Sequence, residues 1–241
     1  MGLHDTWLLP AALVSLVIGM VGVLAAKHLD RLVAFSVIGS MGMVMVAISL
    51  FTEAGIAAAL YYIIHSTFAA AALFLIADLV STGRANLRLT SQPPVSGAAL
   101  TAGLFFAAAI AMAGLPPLSG FIGKLLILDA AFSTDMAVWV WAIVLTSSLI
   151  AVVGFARAGS IVFWKARSVE VAEDATPPEP PQTLAYVAVG AMVVMLIAHT
   201  VFAGQMHAYT TLMAEQLFAP TDYISTVVDT PGKMSNPKEG H

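Results

Sequence analysis

The chain has 241 residues, of which 59% are hydrophobic and 10% charged, and its mean hydropathy is +0.91. Soluble domains carry roughly 25% charged residues, so the composition is that of a polytopic integral membrane protein. A net charge of −4 without a basic block, and the lack of any cysteine, exclude a nucleic-acid partner, a disulfide framework, thiol chemistry and a Cys-ligated metal.

Six apolar segments follow in chain order, each meeting the roughly 20-residue length of a spanning helix. The first runs from about Trp7 to Ala26. His4 and Asp5 precede it in place of a basic leader, and no small-residue cleavage pattern follows, so it reads as a mature span. The second runs from about Leu32 to Phe51 and the third from about Gly55 to Val80. The fourth, Ala98 to Phe132, is interrupted by Gly114, Pro116, Pro117, Gly120 and Gly123. The fifth runs from about Ala137 to Trp164, and the sixth from about Thr183 to Ala203. The predicted fold is an all-α membrane bundle of about six transmembrane helices, one of them broken. The expected divisions are a five-helix unit over 1–165, a Pro-rich acidic linker over 166–182, a final transmembrane helix over 183–218 and a polar tail over 219–241.

Basic residues alternate between the loops. Lys27 and Arg31, Arg84 and Arg88, and Lys165 and Arg167 lie in every second connection, whereas the loops around Glu53 and Asp135 contain no Lys or Arg. This asymmetry predicts cytoplasmic basic loops and outward N- and C-termini. Trp139, Trp141 and Trp164 near the ends of the fifth segment fit interfacial aromatic belts. The linker, with Thr176-Pro177-Pro178-Glu179-Pro180-Pro181, is expected to be extended. The tail, with Pro231, Gly232 and Pro237, is expected to be mobile or to lie on a partner.

The fourth segment carries the main chemistry. Lys124 ends the run Gly114-Leu115-Pro116-Pro117-Leu118-Ser119-Gly120-Phe121-Ile122-Gly123 inside a membrane-length apolar stretch. A charge at that depth costs several kcal/mol unless it meets water or a partner. A helix break is tolerated in lipid only where the freed backbone is buried in protein or lines a cavity. Together they resemble the way ion transporters build a mid-membrane site. The plainer alternative is a Pro kink near a helix end, with Lys124 snorkelling to the headgroups. Ser119 adds a hydroxyl to the break.

His65 lies about halfway along the third segment, with Tyr61 one turn earlier on the same face and Ser66 and Thr67 beside it. A lone histidine on an apolar helix is often only a hydrogen-bonded structural group. A cluster of polar groups at this depth must nevertheless face the bundle interior, and histidine is suited to relay protons near neutral pH. Lys124 and His65 are therefore the candidates for proton transfer, with Tyr61, Ser66, Thr67 and Ser119 as candidates along an ion path. The third segment is expected to pack on the broken one, with His65 and Lys124 joined through one or a few waters. Asp78, Asp129 and His199 read as interfacial, Arg157 as a headgroup or loop anchor, and Ser40, Ser147 and Ser148 as helix-packing residues. No nucleotide loop, zinc spacing, haem pair or nucleophile motif appears, so no cofactor or metal is expected.

The run from Gly114 to Lys124 resembles the broken-helix signature of the proton-translocating antiporter-like subunits shared by Mrp-type cation/proton antiporters and respiratory complex I. In form it is nearest the D-type subunits of the Mrp antiporters. His28-Leu29-Asp30-Arg31-Leu32-Val33-Ala34-Phe35-Ser36 resembles the basic helix start of that family, and Leu60-Tyr61-Tyr62-Ile63-Ile64-His65-Ser66-Thr67 resembles its histidine-bearing helix. The resemblance covers about residues 7 to 165. It implies two inverted five-helix repeats, of which this sequence corresponds to the second plus a final helix. The first repeat, with its own lysine–glutamate pair, is not in it, so the chain alone should not form a complete ion path. There are departures. Asp30 stands where lysine is usual, Ser40 where some complex I relatives have histidine, and Ala69 where many relatives carry a further lysine.

What the resemblance implies is a non-enzymatic subunit of a hetero-oligomeric Na⁺ or K⁺/proton antiporter in a bacterial inner membrane, with lipid and other subunits as partners. Two alternatives stand beside it: a proton-pumping subunit of a complex I or hydrogenase-type respiratory complex, and a truncated structural module without transport of its own.

Overall fold

A computed structural model describes residues 3–84, 86–95, 97–169, 183–219 and 221–229. The first three helices are α1 (Leu3–Ala25), α2 (Leu29–Ile48) and α3 (Glu53–Thr82). The broken unit follows as α4 (Ala98–Ala113) and α5 (Ser119–Ala131). Next come α6 (Ala137–Gly159), α7 (Thr183–Val201), α8 (Ala203–Phe218) and α9 (Thr221–Asp229). Five helices are long and apolar enough to cross a membrane, and the α4–α5 unit completes the expected all-α bundle.

Local signals account for the helix limits. Thr52 caps α3, its hydroxyl accepting from the Gly55 N–H at 3.0 Å, and Glu53 places a carboxylate at the positive end of the helix. At the end of α4, Gly114 takes φ +74°, a left-handed conformation that disfavours a side chain. The Leu115 N–H then reaches back to the Ile110 carbonyl (3.1 Å) and the Gly114 N–H to Ala111 (3.0 Å), closing the helix in a Schellman pattern.

The long α3 is the axis of the bundle and packs against α2, α4, α5, α7 and α8. The hairpin α1–α2 closes tightly where Gly19 meets the Gly39 backbone, and α6 packs beside α1. Large apolar side chains such as Val14, Ile18, Leu145, Leu149, Val187 and Val194 face outward. That is what lipid exposure requires and what water would penalise.

The basic loops lie together at one end. The Leu29 N–H donates to the Leu87 carbonyl (2.9 Å) and the Leu89 N–H to Lys27 (2.9 Å), pairing the first and third connections. Arg84 Nη2 donates to the Val162 carbonyl (2.5 Å) and Arg157 Nη2 to the Ala26 carbonyl (2.6 Å), so both arginines satisfy carbonyls near helix ends at that face. Burial holds the Arg84 guanidinium below its ordinary pKa.

Several expectations change. The final segment is not one helix: it bends at Phe202 into α7 and α8, and α8 also packs on α3. The fifth segment leaves α-geometry for a π-helical turn over Ser160–Trp164 and a short 3₁₀ turn over Lys165–Ser168. Trp139 and Trp164 are exposed as a belt requires, but Trp141 is half-buried and its indole donates to the Leu128 carbonyl (3.0 Å), tying α6 to α5. The tail forms α9 over its first residues. The linker expected over 166–182 lies outside the described residues from 170 onward, as do positions 230–241.

Candidate functional site

The break in the fourth segment exposes backbone carbonyls and brings a cation to them. α4 ends at Ala113, and α5 restarts at Ser119 and carries Lys124 back toward the break. Lys124 is only 5% exposed. Its Nζ donates to the Ala113 carbonyl at 2.6 Å and to Ser148 Oγ, on α6, at 2.8 Å. Ser148 in turn donates to the Val144 carbonyl at 2.8 Å, which turns its lone pairs toward the ammonium. The negative end of α4 thus faces the positive group, an arrangement worth up to about 2 kcal/mol where partly buried. Both partners are neutral, so the cation has no carboxylate against it among the described residues. An ammonium has three donors. The side chain also lines an outward-open cleft of about 390 Å³ between α5 and α6, apolar except at Lys124 and Ser148.

On the other side of α5, His65 is wholly buried, and its Nδ1 is 2.9 Å from Ser119 Oγ. Gly120 makes this approach possible. A Cβ there would overlap the Ala111 carbonyl and stand 2.7 Å from His65 Nε2. At Gly114, where the backbone already turns left-handed, a Cβ would stand 2.6–2.8 Å from Cδ, Cε and Nζ of Lys124. Gly123 packs on the Tyr62 ring. The broken-helix glycines therefore do two things, turning the chain and leaving room for the two titratable side chains. His65 Nε2 has no hydrogen-bond partner among the described residues.

α3 packs on α4 and α5, as expected, and His65 and Lys124 both lie at the break, but they use different neighbours. His65 bonds Ser119 at the start of α5, and Lys124 bonds the end of α4 and the side of α6. Ser66 points away from both, its Oγ 2.6 Å from Ser40 Oγ on α2, with Tyr62 next in line at 3.5 Å from Ser40. Thr67 is exposed and donates to the Ile63 carbonyl of its own helix (2.8 Å), so it lies off any path through the interior. Tyr61 is buried and stacks on His199 with ring centroids 4.3 Å apart. Asp78 and Asp129 are exposed.

Three polar residues read as packing or interfacial groups have other places. Ser148 is a direct partner of Lys124. Ser40 links α2 to α3 through a hydrogen bond, while the glycines beside it provide the close helix approach. His199 is 4% exposed and lies against α3, its ring stacked on Tyr61. A hydroxyl in the middle of an apolar segment adjoining the break was the one available signal for Ser148. His199 had none, since its burial depends on how α7 packs on α3.

Comparison with known proteins places this geometry. Residues 3–151 match the model of the NADH:quinone oxidoreductase/Mrp antiporter transmembrane family. The chain belongs to that family. It is 29% identical to the D subunit of the Na⁺/H⁺ antiporter of Bacillus subtilis, an alignment covering 94% of this chain and 46% of the relative. It is also 29% identical to the D subunit of a probable K⁺/H⁺ antiporter of Rhizobium meliloti, covering 95% and 47%. Its fold matches a chain of the Mrp complex of Dietzia sp. with a TM-score of 0.80 at 22% identity, over 93% of this chain and 50% of the other. The chain therefore spans about half the length of the relatives it matches.

Proposed function

We propose that this chain is a membrane subunit of a multisubunit monovalent cation/proton antiporter, and that Lys124 is its protonatable centre with His65 as relay. The observation that carries this reading is the placement of Lys124. A buried ammonium is held at the break by a helix-end carbonyl and a serine, opens on a cleft and meets no carboxylate among the described residues. A cation held only by neutral groups can lose its proton without leaving an orphaned buried anion, the situation that makes a fixed buried ion pair hard to break.

Family membership supports the reading, and so do the names of the two antiporter relatives matched over nearly the whole chain. The transported cation is Na⁺ or K⁺, as in the names of those relatives. The other half of the path and the opposing carboxylate come from partner subunits or a further repeat, consistent with a chain that spans half of its relatives. Residues 1–165 are the second antiporter-like repeat. The basic end of the bundle faces the cytoplasm of a bacterial cell, with both termini outside the inner membrane.

The test is exchange in vesicles containing the complete assembly. Lys124→Ala should abolish cation-driven proton movement while leaving assembly intact, and Lys124→Arg should fail as well, because a guanidinium does not readily release its proton. Wild-type exchange by a properly assembled Lys124→Ala variant refutes the proposal. Proton movement driven by a quinone-linked redox reaction, without a requirement for Na⁺ or K⁺, assigns the chain to a respiratory complex instead.

A further inference from the structure

His199 is a buried imidazole that the Lys124–His65 relay leaves unused. It sits on α7 with 4% exposure, stacked on Tyr61. Two hydrogen bonds tie it reciprocally to α3: the Tyr61 hydroxyl donates to the His199 carbonyl (3.4 Å), and His199 Nε2 donates to the Tyr61 carbonyl (3.3 Å). A carbonyl can only accept, so Nε2 carries hydrogen. In the neutral ring the basic lone pair is then on Nδ1. That atom is buried and has no hydrogen-bond partner among the described residues. A buried acceptor left in this state carries an uncompensated desolvation cost. A residue serving only to hook α7 onto α3 needs just the Nε2 donor, and the cost at Nδ1 serves nothing.

The position of the ring suggests what the lone pair does. Tyr61 is one turn from His65 on α3, toward the Glu53 end. His65 has one ring nitrogen bonded to Ser119, and the other lies beside the Ala111 carbonyl where Gly120 leaves room for both. Two turns beyond His199, His207 on α8 also has a buried Nδ1 without a partner among the described residues. His199 is thus joined through Tyr61 to α3, whose His65 one turn on bonds Ser119 at the same break that holds Lys124. The titratable groups on elements packed against α7 are Glu53, Tyr61, Tyr62, His65 and Asp78 on α3, Lys124 and Asp129 on α5, and His207, Tyr209 and Glu215 on α8, while α4 carries none; of these Tyr61 touches the His199 ring.

We propose that His199 is a second proton-carrying station, in series with His65, which takes a proton at Nδ1 and passes it toward the Glu53 end of the bundle. It rests on the reading of Lys124 as the protonatable centre. In the transfer the Nδ1 lone pair accepts a proton, giving an imidazolium that stays bonded to the Tyr61 carbonyl through Nε2, and the same Nδ1–H bond breaks on release. No oxidant or co-reactant is needed.

The experiment uses the complete assembly in vesicles, with cation-driven proton flux measured across a range of pH. His199→Gln keeps an N–H donor for the Tyr61 carbonyl but cannot take up a proton. It should assemble normally, exchange about 10-fold or more slowly, and show an altered pH profile. An assembled His199→Gln variant with the wild-type rate and pH profile overturns the proposal and leaves His199 as a hook. Lys124→Ala, run alongside, separates the two ideas. If Lys124→Ala exchanges like wild type, the functional reading itself fails. If only Lys124→Ala is inactive, this inference alone fails. Should His199→Gln not assemble, hydrogen–deuterium exchange at the imidazole C2 of the wild-type assembly decides. A pH-dependent exchange rate at His199 is expected, and no exchange at any pH overturns the proposal.

Discussion

Two glycines in the break are separated by what a methyl group would meet, and the difference predicts opposite phenotypes. At Gly114 an added Cβ meets the Lys124 side chain, 2.6–2.8 Å from Cδ, Cε and Nζ. A lysine side chain can swing aside, so the fold survives. The cost is about 1–2 kcal/mol for a left-handed alanine, against a total stability of about 5–15 kcal/mol for a domain. The displaced ammonium, however, leaves the Ala113 carbonyl. A hydrogen bond to a charged group is worth about 1.5–3 kcal/mol, which corresponds to about 10- to 100-fold in rate if it is lost where the proton is transferred. At Gly120 the added Cβ meets the Ala111 carbonyl and the His65 ring, both fixed by packing. Nothing there can yield without parting α3, α4 and α5. Gly114→Ala should therefore assemble, with a small loss of thermal stability, and exchange about 10- to 100-fold more slowly. Gly120→Ala should assemble poorly or not at all. Detergent-solubilised assembly and melting, followed by vesicle exchange with a pH-sensitive dye, measure both. A Gly114→Ala variant with wild-type exchange, or a Gly120→Ala variant with wild-type melting and yield, refutes the reasoning.

Ser148→Ala removes one of the two partners of Lys124 and should slow exchange about 10-fold or more while assembly is unchanged; equal rates in paired vesicle assays would show that this hydroxyl is not used. Thr67→Ala should be silent in both assembly and exchange, because its hydroxyl faces outward and bonds its own helix; a marked loss of transport would place it on the path after all. With no native cysteine in the chain, single cysteines report topology directly. A cysteine at position 53 should react with an impermeant thiol reagent from the outside and one at position 88 only from the cytoplasmic side, and the reverse pattern would invert the proposed orientation.

The membrane class, the approximate spans, the break and its lysine follow from the sequence by itself, because each depends on local quantities. Hydropathy summed over a membrane-length window marks a span, and Gly114 with Pro116 and Pro117 stops a helix whatever surrounds it. The alternation of basic loops likewise put Lys27, Arg31, Arg84 and Arg88 at one end, where the Lys27–Leu89 and Leu29–Leu87 backbone bonds hold them. Which way each helix turns is another matter. In water a polar face announces the outside, but a helix between lipid and protein is apolar nearly all round, so its pattern carries little information about azimuth. That is why Ser66 and Thr67, adjacent in sequence, could not be told apart, although one bonds Ser40 inside the bundle and the other faces outward. Ser148 gained its role only when α6 set it against Lys124, and His199 only when α7 packed on α3 and set its ring against Tyr61. Those pairings join residues 24 and 138 positions apart, and only the packing of the whole bundle brings them together.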